Sequence, residues 1–394
     1  MERITFCIPS KSNLQYLKTC IPSIRKNAYR GDHDIIVFVD SDEDGTVEWL
    51  SEVKEQYSLQ YYINPKLGDE LYGIGLAYDF CIEKSSTDVF MIFHADMMLG
   101  KNADLNAFQH LQSHFGNFKN NLRTVVCSTR VEPPLHPNNG EKILEDFGMW
   151  PEEFKETEFD EYVESQLSST KTTNGIFAPW MMFKKEFQHI GGHDPMLHSC
   201  REDSDVFNRL KLAGFNFVQP WNSLVYHLTG RGAGSFSGDA PRHEAWQKQM
   251  NNSTREFIRK WGSLPRHSPE LHPIVVPKYE TLLCLRGANM EALAELEPHF
   301  TFIAVDFDPA PYIDAEQPHT SFTLKNRVKK LESLPSANIT ITADASALST
   351  QDVNILKNLN EVIVSHQLQG NVRLGSLEIQ IKDLASSENK LIRI

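Results

Sequence analysis

His94-Ala95-Asp96 puts an imidazole and a carboxylate two residues apart, directly after the apolar run Val89 to Phe93. Nitrogen and oxygen donors at that spacing can jointly hold a divalent cation when a rigid strand delivers them. The tripeptide alone reads as readily as a turn begun by Asp96 beside a partly buried histidine. A second set is Arg201-Glu202-Asp203. Adjacent carboxylates raise each other's pKa, which helps a base work near neutrality. The same residues, with Asp205, also suit a helix N-terminus, where acidic side chains are favoured. A further imidazole, His227, closes the apolar run Ser223 to Tyr226.

The elements that must position these groups follow from apolar spacing. Val89 to Phe93 is a strand buried on both faces, as in a parallel sheet. In open α/β sheets, ligands sit outside the carboxyl ends of such strands. Ile4 to Pro9 is a first buried strand, followed by the polar loop Ser10-Lys11-Ser12-Asn13 and a helix with Leu14, Leu17, Ile21 and Ile24 on one face. Asp34 to Asp40 is a second strand ending in a carboxylate, followed by an acidic turn to Thr46 and a helix through Trp49, Leu50 and Val53. Leu59 to Asn64 is a third strand. Gly73-Ile74-Gly75 then leads into a helix through Ala77, Phe80 and Cys81. Strand, loop and helix alternate as in a nucleotide-binding half-sheet.

Four segments, in order, resemble the family 2 glycosyltransferases of GT-A fold: ITFCIPSKSN, IIVFVDSDEDGT, YGIGLAYDFCIEKSSTDVFMIFHADM, and FKKEFQHIGGHDPMLHSCREDSDVFNRLKLAGF running on to VYHLTGRG. The acidic turn is about a residue shorter than the family pattern, and His94 stands where the first of two metal-site aspartates is usual. The resemblance covers roughly residues 1–262. It implies an α/β fold with a GT-A type nucleotide-sugar-binding sheet and helices on both faces.

The resemblance also implies a metal-dependent, inverting transfer of a sugar from a nucleotide diphosphate sugar, a UDP-sugar above others, to a glycan or other hydroxyl acceptor. Asp203 takes the role of base, with Glu202 beside it. Asp40, with Pro9, Ser10, Lys11 and Asp42, faces the nucleotide. Gly73 and Gly75 leave room for it, and the helix start they lead into tolerates phosphate. Asp96, His227 and His94 are the metal ligands, although His94 serves equally as a diphosphate donor or a packing residue. A mixed nitrogen and oxygen set suits Mn2+ and tolerates Mg2+. Arg231, in the glycine-rich stretch Leu228 to Gly238, can close over the diphosphate as a charge clamp. The other reading is a GT-A-fold protein that binds or assembles carbohydrate without catalysis. A nucleotidyltransferase is disfavoured, because Ile8 to Asn13 contains no glycine.

The remaining chain adds two points. Phe147, Trp150, Phe154, Phe159, Tyr162 and Trp180 are either stacking surfaces for an acceptor or packing. Pro265, Pro269, Pro273 and Pro277 mark a linker, residues 263–279, between a glycosyltransferase domain over 1–262 and a small α/β domain over 280–394. In that last domain Thr281 to Leu285, Phe302 to Val305, Ile339 to Ile341, Val362 to Val364 and Leu377 to Ile381 read as strands. Acceptor recognition, self-association and simple stabilisation are all open roles for it. A net charge of −13 excludes a nucleic-acid partner by bulk electrostatics. No apolar run approaches the ~20 residues that cross a bilayer, and six scattered cysteines without metal spacing fit a reduced, cytoplasmic protein.

Overall fold

Phe6, Cys7 and Ile8 have no exposed surface because the strand that carries them is paired on both edges and covered on both faces. This is β1 (Thr5–Lys11) of a computed structural model that describes residues 2–66, 71–115, 123–138, 140–229 and 240–387. The described residues form two compact units, one of residues 2–249 with 267–274, the other of 250–266 with 275–387. The proline-rich stretch is thus shared, with 267–274 in the first unit and 275–279 in the second.

In the first unit, β1 runs parallel to both β2 (Asp34–Ser41) and β4 (Val89–Ile92), and β2 runs parallel to β3 (Leu59–Ile63). The order β3-β2-β1-β4 is a nucleotide-binding half-sheet, with connections that leave β1 in opposite directions. The sheet continues through β10 (Trp180–Phe183), β6 (Thr124–Cys127), β11 (Asn216–Pro220) and β9 (Thr172–Thr173), with β10 antiparallel to both neighbours. This is the expected α/β sheet of GT-A type.

A second sheet of four strands has the order β5-β12-β7-β8, where β5 is Met97–Leu99, β7 is Thr129–Glu132, β8 is Lys142–Leu144 and β12 is Leu224–His227. Its register matters most for the site. His227 lies opposite Met97 on one side, and Tyr226 lies opposite Val131 on the other. His227 therefore falls next to Asp96 and Glu132 at once. Phe147, Phe154 and Phe159 close the outside of this sheet by packing on Tyr226, at centroid distances of 5.7, 5.4 and 5.6 Å. For these three rings the packing alternative is the observed one. Trp180 is likewise fully buried.

The second unit is built on β13 (Thr281–Arg286), β14 (Phe302–Val305), β15 (Val328–Lys330), β16 (Ile339–Asp344), β17 (Gly370–Leu374) and β18 (Leu377–Ile381), in the order β15-β14-β13-β16-β18-β17. Its first four strands are parallel, again with the first-formed strand inside. One expectation fails here. Val362 to Val364 is not a strand but part of the helix Leu359–Ser365. Leu359 and Ile363, four apart, are buried while Val364 is 47% exposed, which is a helical period hidden in a short apolar run.

Within this unit lies a largely buried charge network. Arg259 donates to Glu297 (2.6 Å) and Glu316 (2.5 Å), and Arg327 and the Tyr312 hydroxyl donate to Glu297 as well (2.9 and 2.8 Å). Burial alone would raise the Glu297 pKa, but Arg259 and Arg327 hold it at about 2. Breaking one member strands buried charge, which typically costs about 3–5 kcal/mol. Glu297→Gln should lower unfolding stability by that order in urea titrations at pH 7. The difference from wild type should shrink as pH falls from 4.5 towards 2, where the wild-type carboxylate also loses its charge. A variant as stable as wild type would show that the network contributes nothing.

Candidate active site

The carboxyl ends of β1, β2 and β4 open onto one cavity of about 350 Å³ in the first unit. Asp40, at the end of β2, lines it. Its carboxylate accepts hydrogen bonds from the Tyr72 and Gly73 amides (2.6 and 3.1 Å) and from the Asn64 side chain (2.9 Å). Asp40 thus shapes the turn into the helix Ile74–Lys84 and still faces the cavity. Pro9, Ser10 and Lys11 line the same wall.

Asp42 is placed differently. Both its oxygens are engaged by the Thr46 and Val47 amides (2.8 and 3.0 Å), capping the helix Thr46–Val53. Asp44 likewise accepts from Leu14 and Thr46. The two glycines owe their identity to protein neighbours. A Cβ on Gly73 would meet the His198 backbone at 3.1 Å, and one on Gly75 would lie 2.9 Å from the His193 Cβ. Gly73 reaches the cavity, while Gly75 serves the approach of the His193–Cys200 segment. Arg231 lies outside the described residues.

His94, Asp96 and His227 converge. One donor atom from each lies within 4.8 Å of the others, the one such cluster of metal-ligating side chains found among the described residues. Asp96 Oδ1 is 4.0 Å from His94 Nδ1 and 3.6 Å from His227 Nε2. The second nitrogen of His227 is held by Glu132, at 2.9 Å, which directs Nε2 towards Asp96. Glu132 is itself braced by Lys142 (2.7 Å) and Arg130 (3.0 Å). Such a carboxylate behind an imidazole fixes the ring and raises its basicity as a ligand. Two imidazoles and one carboxylate are a donor set that could hold a divalent cation.

Burial works against a charged His227, but Asp96 and Glu132 push it up to about 9. Burial would raise the Asp96 carboxyl, yet His227 and His94 hold it below its usual range. His94, desolvated first of all and facing His227, is pushed down. The carboxylates are therefore ionised and the cluster is arranged to receive positive charge.

The acidic pair opens the helix Glu202–Leu212. Cys200 and Arg201, just before it, both hold left-handed backbone conformations (φ 65° and 70°), unusual for side-chain-bearing residues in succession. The helix is anchored by Arg209, which bonds Asp205 and the carbonyls of Ile190 and Gly192. Glu202 lines the cavity, and its Oε2 is buried without a hydrogen-bond partner. Burial and the neighbouring Asp203 charge push its pKa up to about 7. Asp203 does not line the cavity; its Oδ1 accepts from the Trp180 indole at 3.4 Å.

Several lining residues escaped the sequence reading: Tyr78, His198, Trp246 and Gln249. Glu132 also escaped it, because nothing in its local sequence distinguishes it from a solvated charge. The three-residue spacing of Trp246 and Gln249 was the available signal for one helix face.

Two outcomes follow. Glu132→Gln keeps the shape but removes the charge behind His227, and should weaken manganese affinity 10- to 100-fold in isothermal titration. Unchanged affinity would remove Glu132 from the metal site. For Glu202, the folded state binds its proton more tightly than the unfolded chain does. Wild-type stability should therefore decline as pH rises from 4.5 through about 7. Glu202→Gln should remove that decline, a difference on the order of 3 kcal/mol at pH 9 and little at pH 4.5. Parallel stability curves would contradict it.

Residues 5–191 match the family model described as Glycosyl transferase family 2. No curated protein matches the sequence. Among solved structures, S. aureus TarS aligns at 8% identity and TM-score 0.42, covering 66% of this chain and 45% of that one. A 1–349 form of TarS aligns at 9% identity and TM-score 0.42, covering 66% and 74%. GalNAc-T7, solved with UDP, GalNAc and Mn2+, aligns at 12% identity and TM-score 0.45, covering 65% and 51%. The chain thus spans less than half the length of the first of these. No residue role is taken from them. The family match contains β1, β2, β4 and the His94–Asp96 pair, and it stops before Glu202 and His227. With this match and the strand order β3-β2-β1-β4 together, residues 5–191 are a glycosyltransferase domain of family 2.

Proposed function

We propose that the protein transfers a sugar, with inversion, from a nucleoside diphosphate sugar to a hydroxyl acceptor, and that UDP-sugars are its donors. One observation carries this reading: the strand ends bearing Ser10 and Asp40, the His94–Asp96–His227 cluster and Glu202 all face a single cavity. Asp40 and the Pro9–Lys11 backbone suit a base and ribose, which need hydrogen bonds of both kinds. Asp96, His227 and His94 would hold Mn2+ or Mg2+. A divalent cation there supplies charge that stabilises a departing diphosphate.

Inversion in one displacement needs a base on the acceptor side. In our reading an oxygen of Asp203 takes the proton of the acceptor hydroxyl as that oxygen attacks the anomeric carbon and the bond to the diphosphate oxygen breaks. The Trp180 indole fixes the Asp203 carboxylate, and Glu202 orients the acceptor. That Glu202 lines the cavity while Asp203 does not favours a second assignment, in which the two exchange roles. The six cysteines are all unpaired thiols, in keeping with a reducing compartment.

Purified protein should release nucleoside diphosphate from a donor panel with manganese, and EDTA should abolish this. Asp203→Asn should reduce kcat by roughly 10²–10⁴-fold with donor affinity nearly unchanged. Glu202→Gln should do so instead if the roles are exchanged. Activity indifferent to chelation would remove the metal from the reading, and full activity in both variants would remove the base.

A further inference from the structure

Buried polar side-chain atoms are nearly always hydrogen-bonded, and each exception needs a reason. Among the described residues eleven such atoms lack a partner, and four belong to residues lining the active-site cavity: Ser10 Oγ, the Tyr78 hydroxyl, Glu202 Oε2 and Trp246 Nε1. Ser10 and Tyr78 are 2% and 1% exposed, so water cannot substitute freely for the missing bonds. An unpaired buried group of this kind costs about 1–3 kcal/mol. Four such atoms on residues that line one cavity suggest the kind of ligand that would satisfy them.

The chemistry of the four atoms is specific. Trp246 Nε1 can only donate, Glu202 accepts when ionised and also donates when protonated, and the Tyr78 hydroxyl can do both. A phosphate oxygen satisfies donors alone and is repelled by Glu202. A sugar hydroxyl donates and accepts, so hydroxyls on one ring answer all three. Position agrees with this. The Tyr78 ring lies 6.4 Å from that of His94, beside the cluster proposed for the cation that would meet the diphosphate, and the transferred sugar is the next group along the donor. Ser10 instead stands at the end of β1 near Asp40, on the nucleoside wall.

We infer that Tyr78 and Trp246 select the transferred sugar, their O–H and N–H groups binding hydroxyls of a neutral hexose ring next to Glu202. Tyr78 is held for this task. Its ring stacks on His193 (5.9 Å), which is pinned by Asp79 at 2.7 Å. Trp246 belongs to the helix Ala240–Trp261, with Gln249 one turn on at the same cavity. Neither side chain touches the reaction centre by this assignment; they set donor choice. The inference rests on the proposed sugar-transfer function.

Calorimetry on the full chain with manganese tests it, using UDP, GDP, UDP-glucose, UDP-galactose, UDP-N-acetylglucosamine and GDP-mannose as probes. Tyr78→Phe keeps the ring and deletes only the hydroxyl, while Trp246→Phe keeps an aromatic ring and deletes the indole N–H together with the pyrrole ring that carries it. Each should weaken the best-bound nucleotide sugar roughly fivefold, the scale of one net hydrogen bond. Each should leave affinity for the matching free nucleoside diphosphate unchanged and flatten the preference among sugars. Equal losses for sugar nucleotide and free nucleotide, or no loss in either, overturn the inference while leaving sugar transfer intact. Wild-type protein that binds no nucleotide or nucleotide sugar overturns the functional reading and this inference with it. Should the buried Tyr78 variant melt early, the half-exposed Trp246 position decides the matter alone.

Discussion

Glu132 is a carboxylate with almost no water around it, and its neighbours in the first unit keep it charged. Lys142 and Arg130 bond it from its own side, and the His227 ring bonds it from the cavity side. A buried carboxylate with fewer partners would take up a proton, and the imidazole would lose the acceptor that orients it. Burial would raise this carboxyl, but His227 and Arg130 hold it far below the ordinary range. Everything downstream depends on that: the direction of His227 Nε2, its approach to Asp96, and the pull this triad exerts on a cation.

The two ends of the cavity solve opposite electrostatic problems. Near His227, carboxylates are kept ionised by cations and imidazoles packed behind them. Near Glu202, burial and the adjacent Asp203 work the other way, so that carboxyl titrates close to neutrality. The surroundings thus push titratable groups at the two ends of one cavity in opposite directions. The left-handed backbone at Cys200 and Arg201 belongs to the same scheme. Residues in such conformations persist only where the surrounding structure over-determines them, and here Arg209 locks the helix start to the Gly191–Gly192 turn.

The second unit repeats the layout of the first, with a mixed sheet in which the first strand lies inside a parallel run of four. What it buries differs. In place of a cluster facing a cavity it has Arg259, Arg327 and Glu297 closed on one another, with the Tyr312 hydroxyl completing the set. Ions that bond one another in this way specify packing, although Arg259 Nη1 is left without a hydrogen-bond partner. The Lys278 ammonium extends the same logic, bonding the Arg259 and Lys260 carbonyls at a helix end. Burial and the nearby arginine and lysine charges push it down to about 7.

Local pattern alone determined the strands that build the nucleotide-facing half. An apolar run of four or five residues ending in Asp40 or Asp96 can only be a buried strand delivering a carboxylate, and periodicity carries that information within a single window. The same rule misread Val362 to Val364, because three apolar residues do not separate a strand from one face of a helix. Tertiary structure alone decided which distant groups meet. His227 meets Asp96 and Glu132 because the register of β12 sets it opposite Met97 and sets Tyr226 opposite Val131, and registers depend on whole sheets. Glu132 and Tyr78 look like an ordinary charge and an ordinary core aromatic until that register is formed. Asp42 shows the converse. Its type and place suggested nucleotide binding, but two helix amides lie within reach of its oxygens, and a local hydrogen bond forms before any ligand arrives.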